Sequence, residues 1–314
     1  MTIKTFKETA LAIVTLLLSV TPLLAYQQPG LTEKLNDPPL ITTADLLRGF
    51  SREELAEVQK LIPQRPEPPL AEAVPRIATI RGKAFLDANG NGKQEANEKG
   101  LANITVSDCQ RLEQTASKGE FSFVLRFDDK PHHRFITLTR PNGYRLTGSF
   151  YVRIPYDEDR SEYSISFGLQ ADPKSAQKDF WFISTSDSQF TAHHQMIPTA
   201  KDYAQITSAP GGPAFLVTAG DLTMNGSQFE WDMYDYIRRS SKIPVYEGFG
   251  GHDGNCLDPR CTVSFEQRIG PPYYSWNYGG VHFVQLVTET GYLQSPARIR
   301  QQDWIIADLK SLAM

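Results

Sequence analysis

The chain has 314 residues, 40% of them apolar and 22% charged, with a formal net charge of −4. That is enough for two domains with an ordinary core. The small acidic balance is spread along the sequence and supplies no basic field, so nucleic acid is excluded as an expected partner.

The first residues carry Lys4 and Lys7, an apolar run from Ala10 to Val20, then Thr21-Pro22 and the small Ala25. This pattern predicts a signal peptide over 1–25, and with it export to the periplasm, the cell surface or the extracellular space. A membrane anchor requires roughly 20 predominantly apolar residues, and this run is shorter and interrupted by Thr15 and Ser19. No transmembrane span is expected once the signal is removed. Residues 26–75 read as a linker with one short helix, where Ser51 and Glu54 form a capping box ahead of Leu55, Val58, Leu61 and Ile62. A proline-rich spacer follows and ends near Pro75.

From Arg76 to Asp172 the sequence changes to short alternating runs such as ATIRGKAFL, GEFSFVLRF and EYSISFGL, each bounded by turn residues. These predict an antiparallel β-sandwich over 76–172. Within it, DANGNGKQEANE sets Asp87, Asn89 and Asn91 at alternate positions, followed by Gly92, Lys93 with its carbonyl, Glu95 and Glu98. That spacing matches the calcium loop of EF-hands, in which oxygen ligands wrap one hard cation around a glycine turn. The flanks are strand-like, so the expectation is a strand-loop-strand calcium site, with an Asn-Gly hairpin loop as the alternative. The stretch GKAFLDANGNGKQEANEKGLANITVSD, with TASKGEFSF after it, resembles the B-type repeats of bacterial surface adhesins. It also resembles the sandwich that precedes the catalytic domain in one branch of secreted calcineurin-like phosphoesterases.

From Lys178 onward the apolar runs DFWFIST, AFLVTAG and IPVYEG are separated by longer segments, and SQFEWDMYDYIRRSSK predicts a helix. Buried strands alternating with helices suggest an α/β layer with a largely parallel sheet. The chemistry gathers at the ends of these strands: Asp187 after the first, Asp221 after the second, His252 and Asp253 after the third. Open sheets bind ligands outside the carboxyl ends of their strands. Two aspartates there can share a pair of divalent cations that activate water and neutralise phosphoryl oxygens.

The order of these groups resembles the calcineurin-like metallophosphoesterases, whose motifs run DxH, GD and GNH followed by an acid, with two further histidine motifs. In this chain they stand as Asp187-Ser188-Gln189, Gly220-Asp221-Leu222 and Gly250-Gly251-His252-Asp253. YYSWNYGGVHFVQL and QQDWIIADLKSL look like the strand pair and helix that follow. The resemblance implies an α/β/β/α layered domain over 178–314, and a hydrolase acting on a phosphomonoester or phosphodiester through manganese, iron or zinc. By carry-over Asp187 holds the first metal with Gln189 beside it, Asp221 bridges both, His252 polarises substrate or acts as acid, and Asp253 orients His252. Gln189 replaces a histidine and Gly251 an asparagine, so the second metal loses a ligand, and Met314 comes before the last histidine motifs. These departures support a second reading, a non-catalytic envelope or surface protein with a degenerate phosphoesterase domain.

Cys256 and Cys261 could close a small disulfide loop or remain free thiols, and Cys109 reads as a half-buried strand residue. His193 and His194 read as solvated loop residues, and His282 as packing within a strand.

Overall fold

Strand β4 shows how the first half forms: Phe121, Phe123, Leu125 and Phe127 are buried and every residue between them is exposed, the period of a half-buried strand. The computed structural model describes residues 76–127, 134–155, 157, 159–254, 262–288, 293 and 297–312. The expected signal peptide, the linker with its helix, and Cys256 and Cys261 lie outside them.

Eight strands precede residue 172: β1 (Arg76–Leu86), β2 (Thr105–Ser107), β3 (Leu112–Gln114), β4 (Glu120–Phe127), β5 (Arg134–Leu138), β6 (Tyr144–Leu146), β7 (Tyr151–Ile154) and β8 (Glu162–Ala171). They make two four-stranded sheets, β4-β1-β8-β6 and β3-β2-β5-β7. Ile80, Phe123 and Leu169 of the first share one core with Val106, Ile136 and Ile154 of the second. The sandwich is not purely antiparallel, because β1 and β8 run parallel from Thr79 beside Glu162 to Leu86 beside Leu169. A parallel pair needs a long crossover, and the whole of β2 to β7 supplies it. Cys109 is buried but lies in the turn between β2 and β3, at φ 65°. Asp108 forms that turn, its Oδ1 accepting from the amides of Gln110 and Arg111 at 3.0 and 2.6 Å.

In the second half β9 (Ile183–Thr185), β10 (Leu216–Thr218) and β11 (Val245–Glu247) form a parallel sheet of order β11-β10-β9. Helix α1 (His193–Thr207) crosses from β9 to β10, and α2 (Gln228–Arg238) from β10 to β11. Helix α2 starts at a reciprocal cap, Glu230 accepting from the Ser227 amide at 3.0 Å while Ser227 accepts from Glu230. It buries Trp231, Tyr234 and Ile237 on one face. His193 and His194 therefore open a helix rather than sit in a loop, and both are exposed.

After the short α3 (Val263–Arg268), a separate antiparallel hairpin pairs β12 (Tyr274–Tyr278) with β13 (Val281–Gln285), and α4 (Ala297–Ser311) follows. The hairpin turns through Gly279 and Gly280, both at positive φ, as a two-residue turn between twisted strands requires. It packs on the parallel sheet through aromatic rings: Trp276 lies flat between Tyr246 and Phe283, with centroids at 4.0 and 5.2 Å. His282 is buried, as expected, yet it sits in a polar network, with Nε2 2.7 Å from Asp308 Oδ2 and Nδ1 2.7 Å from Asn277 Oδ1.

All these elements belong to one compact unit. Asn277 donates its amide to the Arg140 carbonyl at 2.9 Å, and Thr139 and Ser275 share a hydroxyl bond at 3.1 Å, so the sandwich and the hairpin are joined by buried polar contacts. Phe215 lies at the centre of the aromatic cluster, with no exposed surface and rings of Phe182, Tyr246, Trp276 and Phe283 within 5.0–5.8 Å. Phe215→Ala should therefore cost about 3–5 kcal/mol, measured as a lower urea midpoint at unchanged slope.

Candidate functional site

Each strand of the parallel sheet runs out into a loop that carries one of the expected groups. Asp187 follows β9, Asp221 follows the central strand β10, and His252 and Asp253 follow β11. Hydrogen bonds tie the loops together beyond the strand ends. The amides of Asp187, Gln189 and Phe190 donate to the carbonyls of Gly220, Asp221 and Leu222 at 3.1, 2.9 and 3.3 Å. The third loop joins through the His252 amide, which donates to Asp221 Oδ1 at 3.0 Å.

This tying strains the backbone where the expected donors stand. Five described non-glycine residues have positive φ, and three of them are Asp187 (54°), Gln189 (41°) and Asp221 (54°). Aspartate tolerates that region and glutamine less so; such conformations persist only where the surroundings enforce them, and they gather at functional sites. The glycines act mainly by leaving room. A Cβ on Gly250 would lie 2.2 Å from both the amide nitrogen and Oδ1 of Asp221, so only glycine lets the third loop close on the second.

His252 and Asp253 take different roles from those expected. Asp253 does not orient the imidazole. It has no exposed surface, and its carboxylate accepts from the Thr223 and Gly250 amides, both at 2.9 Å, and from the Thr223 hydroxyl at 3.2 Å. It holds the loop. Burial pushes its carboxyl up to about 7, with the charge of Asp221 adding to the shift against the bonds from Thr223 and Gly250. The orienting partner of His252 is instead the Met224 carbonyl, 2.8 Å from Nδ1. A carbonyl only accepts, so Nδ1 carries a proton and Nε2 is the nitrogen left for chemistry. Met224 was missed from sequence because only a backbone atom serves.

The loops beyond the strand ends carry two carboxylates, Asp187 and Asp221, and the amide oxygen of Gln189, all oxygen donors of the kind that hard divalent cations take. Among the described residues no group of three His, Cys, Asp or Glu side chains is placed to hold a metal ion. A full two-metal ligand set is thus not assembled by them.

The calcium-like loop of the sandwich is ordered around its first carboxylate. Asp87 is fully buried and accepts from the amides of Gly90, Asn91 and Gly92 at 2.7, 3.2 and 2.8 Å. Asn89 and Asn91 each accept from the amide two residues on, at Asn91 and Lys93, and Glu98 accepts from Ala88 and Glu95. Burial raises the Asp87 carboxyl, but the Thr147 hydroxyl and the three amides outweigh it and hold it below the usual carboxylate range. Asp87 Oδ1 takes two of these amides, whereas the Asn89 and Asn91 oxygens and each Glu98 oxygen take one and keep a second lone pair.

No protein-family model matches the chain. Over 152 residues it is 29% identical to the serine/threonine-protein phosphatase CPPED1 of Bos taurus, a match covering 45% of this chain. The chain is a distant relative of a phosphatase. It spans about half the length of that relative, 49%. Among solved structures, the shaft pilin SpaA from Lactobacillus rhamnosus GG matches 36% of this chain and 56% of its own at 12% identity, with a TM-score of 0.23. A double mutant of the same pilin gives a TM-score of 0.22 over the same share of this chain. Superpositions at that level carry no argument.

Because Gly250 has no space for a side chain against Asp221, Gly250→Ala should separate the second and third loops. Nuclear magnetic resonance should show the His252 and Asp221 amides displaced, while the amides of β1 to β8 stay in place.

Proposed function

We propose that the chain is an exported, metal-dependent phosphoesterase of the calcineurin-like type, cleaving a phosphomonoester or phosphodiester at the carboxyl edge of β9, β10 and β11. The observation that carries this reading is the ordered set of three loops, tied to one another at Asp221 and presenting Asp187, Gln189, Asp221 and His252. The phosphatase relative supports the same reaction class. We read the parallel sheet, its helices and the β12-β13 hairpin as part of an α/β/β/α layering.

Asp187, Gln189 and Asp221 would hold the metal, manganese, iron or zinc, with Asp221 shared in a dinuclear centre. The ion supplies charge against phosphoryl oxygens and acidifies water from a pKa of about 15.7 toward about 7. The residues of the chain do the positioning on which phosphoryl transfer depends. His252, its Nδ1–H held by the Met224 carbonyl, would meet a phosphoryl or leaving-group oxygen as the imidazolium, whose Nε2–H donates to it. Asp253 and Thr223 keep that loop closed without touching substrate. The calcium loop is a structural clamp in this reading, with Asp87, Asn89, Asn91, the Lys93 carbonyl and Glu98 as its oxygen donors.

A second reading, a non-catalytic surface protein, is favoured by the missing side chain at Gly251 and by the lack of a three-donor cluster among the described residues. The two separate in an assay of an aryl phosphodiester with manganese. Asp221→Asn should lower the rate on the order of 100-fold, about 2.7 kcal/mol of barrier. Wild type and variant equally inert with manganese, iron and zinc would establish the non-catalytic reading. For the loop, millimolar calcium should raise the thermal midpoint of the wild type by linkage, and the rise should vanish in Asp87→Ala. Export predicts a mature amino terminus just after Ala25, read by terminal sequencing of secreted protein.

A further inference from the structure

Among the described residues no carboxylate pairs with the His252 ring, because Asp253 faces Thr223 and Gly250 instead. A carboxylate nevertheless stands one peptide group away. Met224 contributes the carbonyl that takes the His252 Nδ1–H at 2.8 Å, and the N–H of that same peptide belongs to Asn225. This N–H donates to Glu230 Oε2 at 3.0 Å. The peptide between Met224 and Asn225 is therefore held at both ends, by Glu230 at its N–H and by His252 at its C=O.

Glu230 does more here than cap α2. Its Oε2 takes the Ser227 amide of the cap and the Asn225 amide together, and its Oε1 takes the Asn225 side-chain amide at 3.2 Å. The side chain is buried, so these bonds fix the turn that carries the Met224 carbonyl. Burial raises its carboxyl, but the bonds from Ser227 and Asn225 outweigh this and hold it below the usual carboxylate range. It is therefore an ionised group. Its printed donors are neutral amides, and among the described residues no arginine or lysine pairs with it.

We propose that Glu230 is a positioning residue for His252, acting through the single peptide group between Met224 and Asn225. The proposal rests on the phosphoesterase reading only for what the imidazole does, not for how it is held. A carboxylate on the N–H of a peptide polarises it and makes its carbonyl a stronger acceptor, since hydrogen bonds in a chain reinforce one another and ionised partners roughly double their strength. The carbonyl strengthened in this way is the one on His252 Nδ1. It keeps a proton on that nitrogen in either charge state of the ring and leaves Nε2 for the substrate oxygen. Glu230 thus takes the orienting part that the sequence assigned to Asp253, with a backbone group interposed.

The test is long-range nitrogen–proton correlation of the histidine rings in the full chain, with His252 assigned by the signal lost in His252→Gln. In its neutral form the wild-type ring should show Nδ1 protonated and Nε2 bare. Glu230→Gln can keep an oxygen at both backbone amides while losing the charge. Its His252 Nδ1–H proton should shift upfield, and the two ring nitrogens should draw together as the other tautomer fills in. Ser227→Ala removes the other half of the cap and leaves the held peptide intact, so it should lower the thermal midpoint with the His252 ring as in wild type. A ring unmoved in Glu230→Gln, a ring moved as far in Ser227→Ala, or a wild-type ring protonated at Nε2 alone would each overturn the proposal. The spectra need neither metal nor turnover, so a protein inert toward phosphoesters would defeat the phosphoesterase reading and leave this result standing.

Discussion

The contact on which the candidate site depends is the hydrogen bond from the His252 amide to the Asp221 carboxylate. It joins the loop after β11 to the loop after β10, and the Gln189 amide on the Asp221 carbonyl joins the loop after β9 to the same residue. Asp221 is thus bonded through both its backbone and its side chain. Its left-handed backbone, the bare Gly250 against it and the buried Asp253 behind Thr223 are all conditions for that closure. An asparagine at this position retains an oxygen for the His252 amide while removing the charge. Geometry and metal affinity can therefore be separated by one isosteric change.

The sandwich takes part in the scaffold of the second half. Arg140 is buried at the junction, where it bonds the Tyr144 carbonyl and Asp172 and lies 5.2 Å over the Tyr278 ring, while its own carbonyl receives the Asn277 amide. Tyr273 reaches back to the Cys109 carbonyl at 2.7 Å. Removing partners from such buried bonds is costly, so the two halves hold one another in register. The aromatic stack of Tyr246, Trp276 and Phe283 continues this joint into the parallel sheet.

Much of this was legible in the sequence, for physical reasons that differ by element. Alternation identified β1, β4 and β8, and the capping box with Trp231, Tyr234 and Ile237 identified α2, because burial on one face leaves a periodic trace. The short strands β3, β6 and β7 are too brief for a period to show. Helix α1 was hidden by Pro198 in its interior and by the exposed pair His193 and His194 at its start. The parallel pairing of β1 with β8 is a long-range choice that no local pattern encodes. Strand ends and motif order placed Asp187, Asp221 and His252 after three successive buried strands, and they follow β9, β10 and β11. The partner of His252 was misassigned to Asp253, since a backbone carbonyl at Met224 leaves no signature in side-chain identity.

The central claim is that the tied loops form a metal-binding wall, and manganese binding tests it most directly, without reference to any substrate. Titration of the full chain followed by electron paramagnetic resonance should show at least one tightly held manganese per chain, lost in Asp221→Asn while the His252 amide stays in place. Free manganese only, or retention undiminished in Asp221→Asn, would contradict the account and leave the three loops as a structural closure alone.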